Sequence, residues 1–161
     1  MVKTMTIATI DIGGTGLKFA SLTPDGKILD KTSIPTPESL EDLLAWLDQR
    51  LSEQDYSGIA MSVPGAVNQE KGVIDGFSAV PYIHGFSWYE ALSSYQIPVH
   101  LENDANCVGL SELLAHPEIE NAACVVIGTG IGGAMIINGK IHRGRHGLGG
   151  EFGYMTTIEP A

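Results

Sequence analysis

The sequence predicts a mixed α/β fold, and three observations carry that reading. β-Branched apolar runs of strand length are separated by glycine-rich turns, residues 39–53 show the apolar spacing of one helical face, and short strands keep alternating with helical segments as far as residue 137. The length of 161 residues, with 43% hydrophobic and 17% charged residues, is enough to bury one real core.

Residues 6–12 are apolar and β-branched, and Gly13-Gly14-Thr15-Gly16 turns them into a second strand at residues 17–22. Pro24-Asp25-Gly26 makes the next turn, and residues 28–34 form a third antiparallel strand that Pro35 and Pro37 stop. Leu40, Leu43, Leu44, Leu47 and Leu51 then line one face of a helix over residues 39–53, with Glu38, Glu41 and Asp42 at its positive end. A buried strand at 58–63 ends on Pro64-Gly65, a second helix is expected within 87–95, and a strand at 97–101 follows. The spacing of Cys107, Val108, Leu110, Leu113 and Leu114 predicts a helix over 104–116. Strands at 124–127 and 134–137 flank the turn Gly128-Thr129-Gly130-Ile131-Gly132-Gly133. No internal repeat, low-complexity tract or linker is evident.

Charge narrows the function classes. Nine Lys+Arg against 19 Asp+Glu leave a net charge of -10 without a basic cluster, which argues against nucleic acid or an anionic membrane as partner. Phosphates on a small ligand would be met by Mg²⁺, helix N-termini and backbone N–H groups. Cys107 and Cys124 lie in apolar runs with no second Cys nearby and read as buried, reduced thiols. Residues 1–6 lack a charged leader and a cleavage site, so a cytoplasmic location is expected. Asp11, Pro64 and the glycines interrupt every apolar stretch before the roughly 18 to 20 residues of a membrane span.

Four segments carry candidate chemistry. In Asp11-Ile12-Gly13-Gly14-Thr15-Gly16, consecutive glycines let backbone N–H groups approach a phosphate, Thr15 adds a hydroxyl, and Asp11 could hold a Mg²⁺-bound water; a plain tight hairpin is the alternative. Residues 128–133 imitate the dinucleotide fingerprint, but a strand rather than a helix follows, so a phosphate-touching hairpin is expected instead. Glu102-Asn103-Asp104-Ala105-Asn106 places carboxylates and amides between a strand and a helix, where Asn103 or Asp104 could cap the helix. Capping and catalysis are compatible, because a helix N-terminus keeps a carboxylate ionised, as a base must be. Gly149-Gly150-Glu151-Phe152-Gly153-Tyr154 adds a carboxylate and a phenol, and the five histidines show no metal-binding spacing.

Taken in order, Asp11-Ile-Gly-Gly-Thr15, Pro64-Gly65, Glu102-Asn-Asp-Ala-Asn106, Gly128-Thr-Gly-Ile-Gly-Gly133 and Gly150-Glu-Phe-Gly-Tyr154 resemble the ROK (repressor, open reading frame, kinase) family of sugar kinases and regulators. The resemblance implies an actin-like ATPase fold of ribonuclease-H-like domains, ATP and Mg²⁺ as cofactors, and a hexose or hexose glycoside phosphorylated at its primary hydroxyl. It assigns Gly13, Gly14, Thr15, Thr129, Gly130 and Gly132 to the phosphates and Asp11 to Mg²⁺ placement. Gly65, Ser78, Asn103, Asp104 and Glu151 fall to the sugar, with Asp104 also drawing the proton from the attacking hydroxyl. A homodimer is usual in the family for full-length members.

Two departures qualify the resemblance. Zinc-binding relatives carry a histidine at the position of Tyr154 and a downstream cysteine cluster, so no zinc is expected here, and a substituted sugar such as a β-glucoside becomes plausible. The segment 78–88, including His84, would shape that pocket. Family kinases are also much longer, so residues 1–161 are expected to be an N-terminal sugar- and phosphate-binding domain without its C-terminal partner, weak or inactive alone. The competing reading is a non-catalytic sugar binder or sugar-sensing regulator, for whose helix-turn-helix there is little room before the first strand. A dinucleotide-dependent enzyme is the third.

Overall fold

The computed structural model describes residues 5–128 and 130–155. The chain divides into two compact units, Met1–Asn103 and Asp104–Ala161.

In the first unit, β1 (Ile7–Ile12), β2 (Gly16–Leu22) and β3 (Ile28–Pro35) form the expected antiparallel meander. Helix α1 (Leu40–Leu51) follows, then β4 (Gly58–Val63), a hairpin of β5 (Ala66–Asn68) and β6 (Val73–Asp75), the short helix α2 (Trp88–Ala91), and β7 (Val99–Asn103). The main sheet has the order β3-β2-β1-β4-β7, with β1, β4 and β7 parallel. Period-two burial along β1 and β4 sends Ala8, Ile10, Ile12, Ile59, Met61 and Val63 inward, where they share one core with Leu43, Leu47 and Leu51 of α1. Ser39 starts α1 as its N-cap, its hydroxyl accepting the Asp42 N–H at 3.1 Å. Phe19 meets Trp46 and Tyr56 edge-on, and buried Ser21 is satisfied by Tyr56 and Gln54.

Several boundaries differ from expectation. The β5–β6 hairpin was not legible, because three-residue strands are too short to show alternation; its turn closes through Asn68, whose side chain accepts the Lys71 N–H, and Gly72 at φ +65°. The helix expected within 87–95 is α2 alone, followed by a 3₁₀ turn at Ser93–Tyr95 that ends on Gln96 in the left-handed region. Trp88 and Leu92 are buried by that brief turn. β7 runs two residues further than expected, so Glu102 and Asn103 belong to the sheet and pair with Ser62 and Val63 of β4.

The second unit opens with α3 (Asp104–Ala115), followed by an antiparallel meander of β8 (Ala122–Ile127), β9 (Ile131–Ile137) and β10 (Lys140–Ile141) in the order β10-β9-β8. Its first hairpin, like that of the first unit, is turned by glycines. The helix exists where expected but does not bury the expected face. Ala105, Asn106 and Gly109 are buried, whereas Val108, Leu110 and Leu114 are 38%, 41% and 86% exposed. Small residues prevail because α3 lies close to the sheet: a Cβ on Gly109 would come within 2.7 Å of Ile141 and 2.9 Å of Ala134. Cys107 and Cys124 are half-buried rather than buried. Among the described residues no helix is long and apolar enough to cross a membrane.

Candidate active site

The glycine turn between β1 and β2 is closed by the Gly13 N–H donating to Gly16 O at 2.9 Å. Thr36 braces it from β3's end, its hydroxyl donating to Gly13 O at 2.6 Å and its N–H to Thr15 O at 3.4 Å. Gly14 and Thr15 are exposed at the tip, and a Cβ on Gly14 would stand only 2.8 Å from that of Ala79, so glycine here keeps the turn low as well as open. Asp11 is placed by register. Its β2 partner Lys18 donates to Oδ2 at 2.8 Å, and its β4 partner Ser62 donates to Oδ1 at 2.9 Å. Hydrogen bonding and charge from Asp11 raise the pKa of Lys18 above its ordinary value. Neither Lys18 nor Ser62 is conspicuous in the sequence; the cross-strand pairing that reveals them needs the register. Among the described residues no group of three or more His, Cys, Asp or Glu side chains could hold a metal. One carboxylate beside an exposed glycine turn would suit a magnesium ion that keeps most of its waters.

Three residues assigned to the sugar come together in the first unit. Asn103, at the end of β7, donates from Nδ2 to Gly65 O at 3.1 Å. Beside it, buried Glu102 is structural: Oε1 accepts the Asn103 N–H at 3.0 Å and Oε2 accepts from Gln69 Nε2 at 3.0 Å. Gly65 has φ +103°, and a Cβ there would come within 3.0 Å of Asp75 O, Ile74 Cγ2 and His84 Cε1. Ser78 Oγ lies 2.7 Å from His84 Nε2 and accepts the Val80 N–H at 3.1 Å. Gly65→Ala is therefore expected to lower stability by about 1–2 kcal/mol, the cost of a left-handed L-residue, and to displace His84. Unchanged thermal unfolding and sugar affinity in that variant would contradict this placement.

The second unit brings Asp104 and Glu151 into electrostatic contact. Asp104 is the first residue of α3, its Oδ1 accepting the Ala105 N–H at 2.8 Å, where the helix dipole favours the ionised carboxylate. Glu151 is pushed above the usual carboxylate range, first by burial and second by the charge of Asp104. It reaches this place on a segment that runs flush along β9: a Cβ on Gly150 would press on Gly133 O, and one on Gly153 on Ile131 O. Gly133 is likewise a packing glycine, because a Cβ there would collide with the Phe152 ring.

The turn between β8 and β9 is shorter than expected, closed by the Gly128 N–H donating to Gly130 O at 2.9 Å. Gly130 is at its tip, Gly132 lies inside β9 instead, and Thr129 falls outside the described residues. Because the turn joins antiparallel strands, it is no dinucleotide fingerprint.

Removing the charge of Asp104 gives a direct check on the pair. In Asp104→Asn the Glu151 pKa should fall toward the ordinary value yet stay above it, because burial is the larger cause. A raised acid binds more protons folded than unfolded, so this group stabilises the fold at low pH and the contribution is lost as pH rises through the folded-state pKa. Carboxyl ¹³C titration of both forms reads the shift; an identical Glu151 midpoint would disprove the coupling.

The model of the ROK family matches residues 7–160. A β-glucoside kinase from Listeria monocytogenes is 40% identical over 163 residues, covering 97% of this chain and 55% of its own. The crystal structure of a ROK family protein from Streptococcus pneumoniae TIGR4 in complex with sucrose is 94% identical, with a TM-score of 0.90, over 98% of this chain and 54% of that one. A ROK family glucokinase from Streptomyces griseus in complex with glucose and AMPPNP is 25% identical, with a TM-score of 0.79, over 95% of this chain and 51% of its own. The chain thus spans about half the length of the curated relatives it matches. Its mixed sheet is that of the actin-like ATPase fold, and the chain belongs to the ROK family.

Proposed function

We propose that the protein phosphorylates a hexose or a hexose glycoside at its primary hydroxyl, with ATP as donor and Asp104 as the base. The observation that carries this reading is Asp104 itself, an aspartate held at a helix N-terminus beside a partly buried acid, Glu151. As the hydroxyl oxygen bonds to the γ-phosphorus and the bond to the ADP oxygen breaks, Asp104 takes up the hydroxyl proton. A loose phosphoryl-transfer transition state asks for positioning and charge neutralisation more than for a strong base. Gly65, Ser78, Asn103 and Glu151 would hold the sugar hydroxyls. Gly13, Gly14, Thr15, Thr129, Gly130 and Gly132 would serve the phosphates, the glycine tips with backbone N–H groups. Magnesium, when bound, would neutralise phosphate charge, and Asp11 would hold it through water.

The same reading takes residues 1–161 as the sugar- and phosphate-binding part of a longer, dimeric kinase. Supporting this, its relatives are about twice as long, and β8 leaves Val125 and Ile127 exposed, 61% and 81%. A glycoside substrate is favoured by the departure at Tyr154, by the β-glucoside kinase relative, and by the sucrose bound to the pneumococcal one. Phe77, next to Ser78 and 92% exposed, offers an aromatic face to a second sugar ring.

The test is incubation of the full-length protein with ATP, Mg²⁺ and a panel of glucose, β-glucosides and disaccharides, followed by mass spectrometry. A sugar phosphate formed with stoichiometric ADP is the expected product. Sugar binding by calorimetry without any transfer would replace this reading with that of a non-catalytic sugar binder or sensor.

A further inference from the structure

His84 belongs to no motif, yet it packs into the cluster of Gly65 and Ser78 in the first unit. Its ring rests against Gly65, Nε2 lies 2.7 Å from Ser78 Oγ, and Nδ1 is buried without a hydrogen-bond partner among the described residues. Ser78 Oγ also accepts the Val80 N–H.

A neutral imidazole has one N–H and one lone pair, so two proton arrangements compete. With the proton on Nδ1, Ser78 would donate to Nε2 and a buried N–H would face no acceptor. With the proton on Nε2, the imidazole donates to Ser78 Oγ, and only a lone pair on Nδ1 goes unmatched. Orphaned buried N–H groups are the rarer and costlier fault, so the second arrangement prevails. Both lone pairs of Ser78 Oγ are then filled, by Val80 N–H and by His84 Nε2–H. Its hydroxyl hydrogen can only be given away.

We propose that His84 is a positioning residue that turns Ser78 into an obligate hydrogen-bond donor, so that one sugar oxygen is read by its lone pair. The proposal rests on Ser78 being a sugar contact. It deepens that reading by assigning polarity: ionised carboxylates such as Asp104 can only accept, whereas Ser78 can only donate.

Imidazole ¹⁵N NMR of the full-length protein should show His84 protonated at Nε2; protonation at Nδ1 would overturn the proposal without any variant being made. Calorimetry with the preferred sugar and its singly deoxygenated and singly fluorinated analogues supplies the functional arm. At one position, fluorine keeps an acceptor and should bind about threefold tighter than the deoxy analogue. That preference should vanish in His84→Leu and return in His84→Gln, whose amide N–H replaces Nε2–H. Ser78→Ala should weaken the parent sugar about tenfold, as expected for one lost hydrogen bond, and abolish the preference. If Ser78→Ala leaves every affinity unchanged, Ser78 is no sugar contact and the functional reading of it fails together with the proposal. If Ser78→Ala weakens binding while folded His84→Leu keeps the fluorine preference, the sugar contact stands and the role of His84 is refuted.

Discussion

Asp104→Asn in the full-length protein is expected to cut kcat for sugar phosphorylation by about 10²–10⁴-fold, the range a positioned general base contributes. Sugar affinity should change far less. The amide keeps an oxygen to accept the Ala105 N–H, so the start of α3 survives, while the group that takes the hydroxyl proton is gone. With Asp104 as the base proposed above, the loss should appear in kcat and kcat/KM together, with KM nearly unchanged. Turnover within threefold of the parent, in a variant of unaltered melting temperature, would remove Asp104 from the chemistry and leave it as a helix-capping residue.

Trp88→Ala should cost about 3–5 kcal/mol, the range for truncating a large aromatic in a packed core. Trp88 is fully buried, its indole N–H donates to Ile83 O at 3.1 Å, its backbone N–H donates to Gly72 O at 2.8 Å, and its ring packs on Phe86 at 5.1 Å. These bonds hold the 3₁₀ turn at Pro81–Ile83, and His84 follows it directly. Loss of the indole should therefore act twice, lowering the denaturation midpoint and raising hydrogen exchange at Ile83 and His84, with weaker sugar binding as a consequence. Trp88→Phe, which keeps most of the volume but not the N–H, should recover over half of the stability. A small stability change in Trp88→Ala, without faster exchange at His84, would show that the loop is held by other contacts.

Much of the fold was legible because strand and helix leave different periods. β1 to β4 and α1 fall within two residues of where alternation, turn glycines and the Ser39 cap put them. Helix α3 shows where that logic stops. Its apolar residues announce a helix, but periodicity reports local amphipathicity and says nothing about which face finds a partner; Ala105 and Gly109 face the sheet because only small side chains permit that approach. The candidate site divides along the same line. Asn103, Asp104 and Glu151 stand out as polar residues inside glycine-flanked or strand-to-helix segments. Lys18 and Ser62 do not, because each acquires its role from a residue on another strand.

Sequence alone determined the order of the longer elements, the two glycine turns, and the chemical types available: one acid at a helix start, another in a glycine-rich segment, and few cations. Tertiary structure decided what each glycine is for. Gly14 keeps a turn open beneath Ala79, Gly65 makes room for His84, and Gly133 and Gly150 let Glu151's segment lie flat on β9. One residue type serves all these ends because a missing Cβ permits a positive φ, a ligand's approach and close backbone packing alike; which of the three applies depends on the atom that would occupy the empty space.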